Sequence, residues 1–196
     1  MIVAGPPGGR LDQWAALLAP AIGRYMPTRA VLARRNVGGV DGVTGANQFD
    51  VQVEPDGQTA LLVPGSATLS WLVGETRAKF DPARWVPVWA GYCPGVLVSR
   101  QALTPGKMLR VYATSPVGAE LPALLSLDLL GIDVALAPEE SSDAVWLQGV
   151  GLPSALAMAA QSGLRPLMTL GMLNADGQIA RDPLLPDVPT ASELER

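Results

Sequence analysis

The sequence predicts an α/β fold in two lobes, and three observations carry that expectation. Short apolar strands alternate with helical stretches, the pattern of parallel strands joined by crossover helices. Turns rich in glycine and proline sit where strands hand over to helices, at 5–9, 37–47 and 64–68. From Arg110 a second strand, turn and helix repeat the opening design, after an apolar run at 86–98 that reads as chain passing from one lobe to the other. The boundaries expected are 1–98 for the first lobe, 99–170 for the second and 171–196 for a segment returning toward the first. At 196 residues and 48% hydrophobic content the chain can bury a sizeable core.

The opening strand ends at Val3-Ala4 and runs through Gly5-Pro6-Pro7-Gly8-Gly9 into a helix. Leu11, Trp14, Ala15, Leu17, Leu18 and Ile22 recur at helical spacing, which predicts a helix from about Leu11 to Tyr25 with Asp12 in its first turn. Such a junction gathers unpaired N–H groups and the positive end of the helix dipole, an arrangement suited to an anion. Gly8 and Gly9 can take positive φ there, while Pro6 and Pro7 stiffen the entry. The same kind of turn serves as a plain connection in many α/β proteins. Its spacing fits neither G-x-x-x-x-G-K-[ST] nor G-x-G-x-x-G, so a nucleotide is not favoured.

Ala30-Val31-Leu32-Ala33 reads as the second strand, and the glycine-rich run from Val37 to Asn47 as a tight loop with a small-residue helix able to pack closely on a sheet. Glu54-Pro55-Asp56-Gly57 has the chemistry of a turn. A strand at 59–63 then meets Pro64-Gly65-Ser66-Ala67-Thr68. In the second lobe the expected order is a strand at 110–115, a turn at 115–119, a helix at 121–130 and a strand at 134–137. A short helix from Ser141 to Leu147 follows, capped by Ser141 or Ser142. Parallel strands bring their following turns to one edge, where ligands of such sheets sit.

Composition narrows the chemistry. Charged residues make up 16% of the chain, the net charge is −4 and lysine occurs only as Lys79 and Lys107, so no basic face is at hand for nucleic acid. Histidine is absent, which removes histidine-based triads and the usual zinc ligands. Cys93 stands alone in an apolar run and reads as a buried small hydrophobe rather than a nucleophile. No apolar run is long enough to span a bilayer, the longest candidate at 121–137 being broken by Asp128 and Asp133, so direct membrane insertion is not expected. No secretory signal is read, because residue 1 already belongs to the first strand. The chain is then either cytoplasmic or begins after a signal that was removed.

Five runs, in order, carry a resemblance. Pro7-Gly8-Gly9 with Asp12 is similar to a P-G-G-x-x-D loop, and Asn36 to Gly42 to an N-x-x-G-x-G-G segment. Glu54-Pro55-Asp56-Gly57-Gln58-Thr59 is similar to a P-D-G-x-T turn, and Phe80-Asp81-Pro82 with Pro87-Val88 to a D-P…P-V stretch. Pro186-Asp187-Val188-Pro189-Thr190 with Glu193 is similar to P-D-V-P-T-x-x-E. Together they resemble the substrate-binding proteins of tripartite tricarboxylate transporters, the Bug receptors. That resemblance implies an α/β, two-lobed clamshell of the type II periplasmic-binding-protein kind. Such a receptor closes on a small organic acid or related metabolite and delivers it to membrane permease subunits, with a periplasmic location and without cofactor, metal or catalysis. It implies ligand contacts from Pro7, Gly8, Gly9 and Asp12, from Gly65, Ser66 and Thr68, and from Ser115 and Gly118 of the second lobe. Asp12 reads as a residue that orients the loop, since a second carboxylate would repel an anion.

Departures accompany the matches. Arg10 stands where the family has a small residue, and it is either a two-point contact to a carboxylate or a solvated side chain. Glu139 and Glu140 replace an aromatic and a cation, which disfavours di- and tricarboxylates if either faces the ligand. Family members run on past the last motif, whereas this chain ends at Arg196. The first lobe is then incomplete, completed by another subunit, or part of a truncated receptor-like protein with a sensing or scaffold role. An enzyme using Asp12, Glu139, Glu140 or Asp143 as acid or base ranks last, because no nucleophile–base pair accompanies them.

Overall fold

The computed structural model describes residues 1–27, 31–113, 120–149 and 151–195 and is an α/β protein of helices and mixed sheets. Contacts divide it into two compact units, Met1–Pro87 and Val88–Arg196. Among the described residues no helix is long and apolar enough to cross a membrane.

The first unit runs β1 (Ile2–Val3), α1 (Arg10–Tyr25), β2 (Arg35–Asn36), α2 (Val43–Gln52), β3 (Leu61–Leu62) and α3 (Gly65–Leu72). The three strands are parallel in the order β2-β1-β3. The second strand therefore begins later than the 30–33 expected. The register Ile2↔Arg35 carries 31–33 past the end of β1, and Val31 is left 94% exposed. Ala30 lies outside the described residues. Helix α1 buries Ala15, Ala19 and Gly23, one residue per turn, so its inner face is made of the smallest side chains. Helix α2 comes closer still at Gly45, where a Cβ would lie 2.6 Å from Ala4 Cβ and 2.7 Å from Ala4 Cα.

A small core of Val43, Ala46, Ala67 and Phe80 is closed by the chain at 80–85. Phe80 stacks on Trp85 with centroids 5.3 Å apart, and Phe49 meets the same indole edge-on at 5.8 Å. The Asp50 carboxylate, nearly buried, accepts from Trp85 Nε1 at 2.9 Å, from the Asp81 N–H at 3.2 Å and from the Arg84 guanidinium.

The second unit runs β4 (Gly95–Ser99), β5 (Leu109–Tyr112), α4 (Leu121–Leu129), β6 (Val134–Ala137), β7 (Ala144–Gln148), α5 (Leu152–Gln161), β8 (Arg165–Thr169), β9 (Met172–Leu173), β10 (Ile179–Ala180) and α6 (Ala191–Leu194). Its sheet has the order β6-β5-β7-β4-β8. Strand β5 is parallel to β6 and β7, and β4 is antiparallel to β7 and β8. Strand β4 is buried throughout, and its alternation feeds two cores. Leu97 joins Val111, Leu127, Trp146 and Met168 on one face, while Val96 and Val98 join Leu152, Ala159 and Val188 on the other.

Three expectations for this unit are corrected. Residues 95–99 are an interior strand rather than crossing chain. The helix expected at 141–147 is instead strand β7, because Ala144 and Trp146 face one core while Val145 and Leu147 face the other, a period of two that only a strand can satisfy. Ser142 caps nothing there. Its hydroxyl donates to the Glu139 carbonyl at 2.9 Å and closes the short 3₁₀ turn Glu139–Ser141. Cys93 is exposed, not buried as the apolar run suggested.

Asp143, at the start of β7, grips Arg110 on β5 through two bonds of 2.9 Å. That guanidinium holds the Asp143 carboxyl down to about 2. Near the end of the chain, Thr190 Oγ1 accepts the Glu193 N–H at 3.3 Å and Glu193 Oε2 accepts the Thr190 N–H at 2.8 Å, a reciprocal cap on α6 that Arg181 braces. Replacing Thr190 with Ala is expected to cost about 1 kcal/mol, read as a lower urea midpoint at constant slope, with Thr190→Ser retaining most of it. A Thr190→Ala midpoint equal to that of the parent would mean that the cap adds no stability.

Candidate functional site

Because β1, β2 and β3 are parallel, the turns that follow them emerge at one edge of the first sheet. The order β2-β1-β3 also reverses the direction of winding at β1. Right-handed crossovers then put α1 and α2 on opposite faces, the arrangement in which ligands bind beyond the carboxyl ends of the strands. The residues at that edge are Gly5–Gly9 with the first turn of α1, and Pro64–Thr68 at the start of α3.

In the first turn Gly8 has φ +73°, the left-handed region that glycine tolerates, and the Gly9 N–H closes the turn on the Pro6 carbonyl at 3.1 Å. Asp12 Oδ2 accepts the Gly8 N–H at 2.8 Å, and Asp12 Oδ1 accepts from Arg34 at 3.1 Å. The Gly8 N–H, and behind it Asn36 and Arg34, hold the Asp12 carboxyl below the usual carboxylate range. Asp12 thus ties the turn to α1 and to the chain entering β2. Asn36 adds a second tie, its amide donating to the Gly5 carbonyl at 3.3 Å. The N–H groups of Arg10, Leu11 and Asp12 stand at the helix start, where no intrahelical acceptor exists. Pro7 and Arg10 are exposed, and among the described residues Arg10 enters no ion pair.

The turn after β3 brings Gly65 and Thr68 to the surface, and Ser66 Oγ donates to the Asp41 carbonyl at 3.2 Å. Asp41, which sequence reasoning did not single out, repeats the pattern of Asp12. Its Oδ1 accepts the Val43 N–H at 3.2 Å and its Oδ2 pairs with Arg77 at 2.9 Å. The readable signal was an aspartate beside a glycine just ahead of a helix start, the setting of an Asx turn in which the carboxylate accepts the N–H two residues on. Asp12 and Asp41 at this edge are each occupied by a backbone N–H and by an arginine.

Ser115 and Gly118 lie outside the described residues. Glu139 and Glu140 are both exposed, and Asp143 is committed to Arg110. A cavity of about 580 Å³ lies elsewhere in the first unit, between Ala16, Ala19, Pro20 and Gly23 of α1 and the extended chain at Val31 and Arg34. It is an open groove, with Val31 94% exposed, and the Arg34 guanidinium on its wall is already engaged by Asp12. The strand-end turns, which offer oriented N–H groups, are the better candidate for an anion. No family model and no curated protein matches the chain.

Proposed function

We propose that the protein is a two-lobed, clamshell-type extracytoplasmic receptor that holds a small carboxylated metabolite and passes it to a tripartite tricarboxylate-type permease, in the periplasm. The observation that carries this reading is the β2-β1-β3 order with glycine turns and helix starts at its carboxyl edge; the strand order alone recurs as β6-β5-β7 in the second unit. Backbone donors at such an edge favour a carboxylate. The carboxylates of Asp12 and Asp41 at the same edge favour a ligand with one negative group there over one with several, by like-charge repulsion. A second reading, a truncated or degenerate receptor-like protein with a sensing or scaffold role and no transport ligand, draws on the same bonds. Two of the donors an anion would use, on Gly8 and Val43, are already spent within the chain.

A thermal-shift panel of mono-, di- and tricarboxylates and amino acids separates the two. A ligand at a hundred times its dissociation constant stabilises the native state by ~2.7 kcal/mol. Gly8→Val is expected to abolish that shift, since a β-branched residue at φ +73° is strained although its Cβ would meet nothing. Arg10→Ala is expected to weaken binding by roughly 1.5–3 kcal/mol if the guanidinium meets the carboxylate. Silence across the panel from a cooperatively melting sample would overturn the receptor reading in favour of the second.

A further inference from the structure

We propose that residues 86–91 form a joint between the two units whose ends are fixed by a pair of matched latches, Trp85 on Asp50 and Tyr92 on Asp182, the second of which sets the joint's length by opening. The proposal rests on the chain alone and not on what the protein binds.

Each latch joins an aromatic donor to a carboxylate rooted in one unit. On the first-unit side, Trp85 Nε1 donates to Asp50 Oδ1 at 2.9 Å and its ring is stacked on Phe80. On the second-unit side, the Tyr92 hydroxyl donates to Asp182 Oδ2 at 2.8 Å. Asp182 is itself 1% exposed, and its Oδ1 accepts the Leu184 N–H at 2.8 Å, so the acceptor is held rigidly by its own turn. Burial, with the Asp182 carboxylate behind it, pushes the Tyr92 phenol upward, so the hydroxyl keeps its proton to donate at any ordinary pH.

Between the latches the chain is held by little. Val86 is 85% exposed, Val88 92% and Trp89 61%, and among the described residues no hydrogen bond involves 86–91. The contact made there is local, the Trp89 ring lying over Gly91. The boundary between the compact units falls inside this stretch. Past Tyr92 the next fixed point is Pro94, whose carbonyl accepts the Gly149 N–H at 3.0 Å. Opening the Tyr92 latch therefore frees Tyr92 and the exposed Cys93 and moves the end of the joint to Pro94. Segments with few buried contacts and unpaired backbone open at the low end of the stability range, which is where proteases and solvent exchange act first.

The test is limited proteolysis of the full chain with a broad-specificity protease, cut sites being read by mass spectrometry, together with amide hydrogen exchange. The first cuts are expected within 86–91, and the amides of Val86 and Val88 to Gly91 are expected to exchange without protection. In Tyr92→Phe, which removes only the hydroxyl, cleavage within 92–94 should rise by roughly five- to tenfold while first-unit exchange stays unchanged. Trp85→Phe should extend cleavage in the other direction, toward Arg84. First cuts elsewhere in the parent chain, or a Tyr92→Phe map identical to that of the parent, would overturn the proposal.

Discussion

Gly95→Ala is expected to destabilise the second unit by about 2–3 kcal/mol, a large effect for one methyl group. Gly95 opens β4, is buried, and pairs with Gln148 across the strand boundary. A Cβ there would fall inside the Trp146 indole, within 2.7 Å of Cε2. The ring has little freedom to retreat, since Trp146 is 8% exposed, packs in the same core as Leu97 and donates from Nε1 to Gln148 Oε1 at 3.1 Å. Urea unfolding followed by tryptophan fluorescence reads the cost. If the clash is its cause, Trp146→Phe should recover part of the loss when combined with Gly95→Ala, a coupling that a double-mutant cycle isolates. A cost under 0.5 kcal/mol, as for ordinary surface changes, would show that the indole steps aside.

Gly45→Ala is expected to act on both stability and the candidate site. The atoms that an added Cβ would meet are mostly backbone, Ala4 Cα at 2.7 Å and the Val37 carbonyl at 3.0 Å, and these cannot rotate out of the way. Helix α2 must shift away from β1, and its starting turn, which holds Asp41 and the Ser66 contact, shifts with it. Helix propensity favours alanine by about 1 kcal/mol, and overpacking costs about 1–3 kcal/mol, so a net loss of up to about 2 kcal/mol follows. Any ligand-induced melting shift should fall with it. Gly65→Ala serves as the control. Its Cβ would meet nothing within 4 Å, so the melting temperature should hold or rise. Equal behaviour of the two variants would remove close packing as the reason for glycine at position 45.

What was legible in the sequence was largely local. The α1 helix and the turn before it follow from periodicity and glycine placement, and Asp12 lies four residues from Gly8, within reach of its N–H. The runs that carry the family resemblance resolve in the structure as backbone devices. Asp56 Oδ1 accepts the Gln58 N–H at 2.8 Å within its turn, Asp81 Oδ1 accepts the Ala83 N–H at 3.0 Å, and Thr190 with Glu193 caps α6. These residues have local structural roles whatever the protein binds. The rest was not legible because it depends on partners far along the chain. Residues 95–99 look like any extended apolar stretch until β7 and β8 flank them. The serines at 141 and 142 imitate a helix cap, although the alternation from Ala144 to Leu147 was there to be read. No expectation covered 152–169, although Pro153 in the first turn of α5 and Gly163 just past its end are ordinary start and stop signals.

The order β6-β5-β7-β4-β8 also dictates when the second unit can form. Strand β4 enters the chain first, yet both of its neighbours, β7 and β8, come from the far half of the unit. During synthesis its apolar residues must remain without partners while β5, α4 and β6 are made, and pairings of such sequence separation form slowly. The first unit, whose strands β1, β2 and β3 are all made early, can be complete by then. Its maturation is consequently staggered, and the period before β8 emerges is when Val96, Leu97 and Val98 are most open to association with another chain.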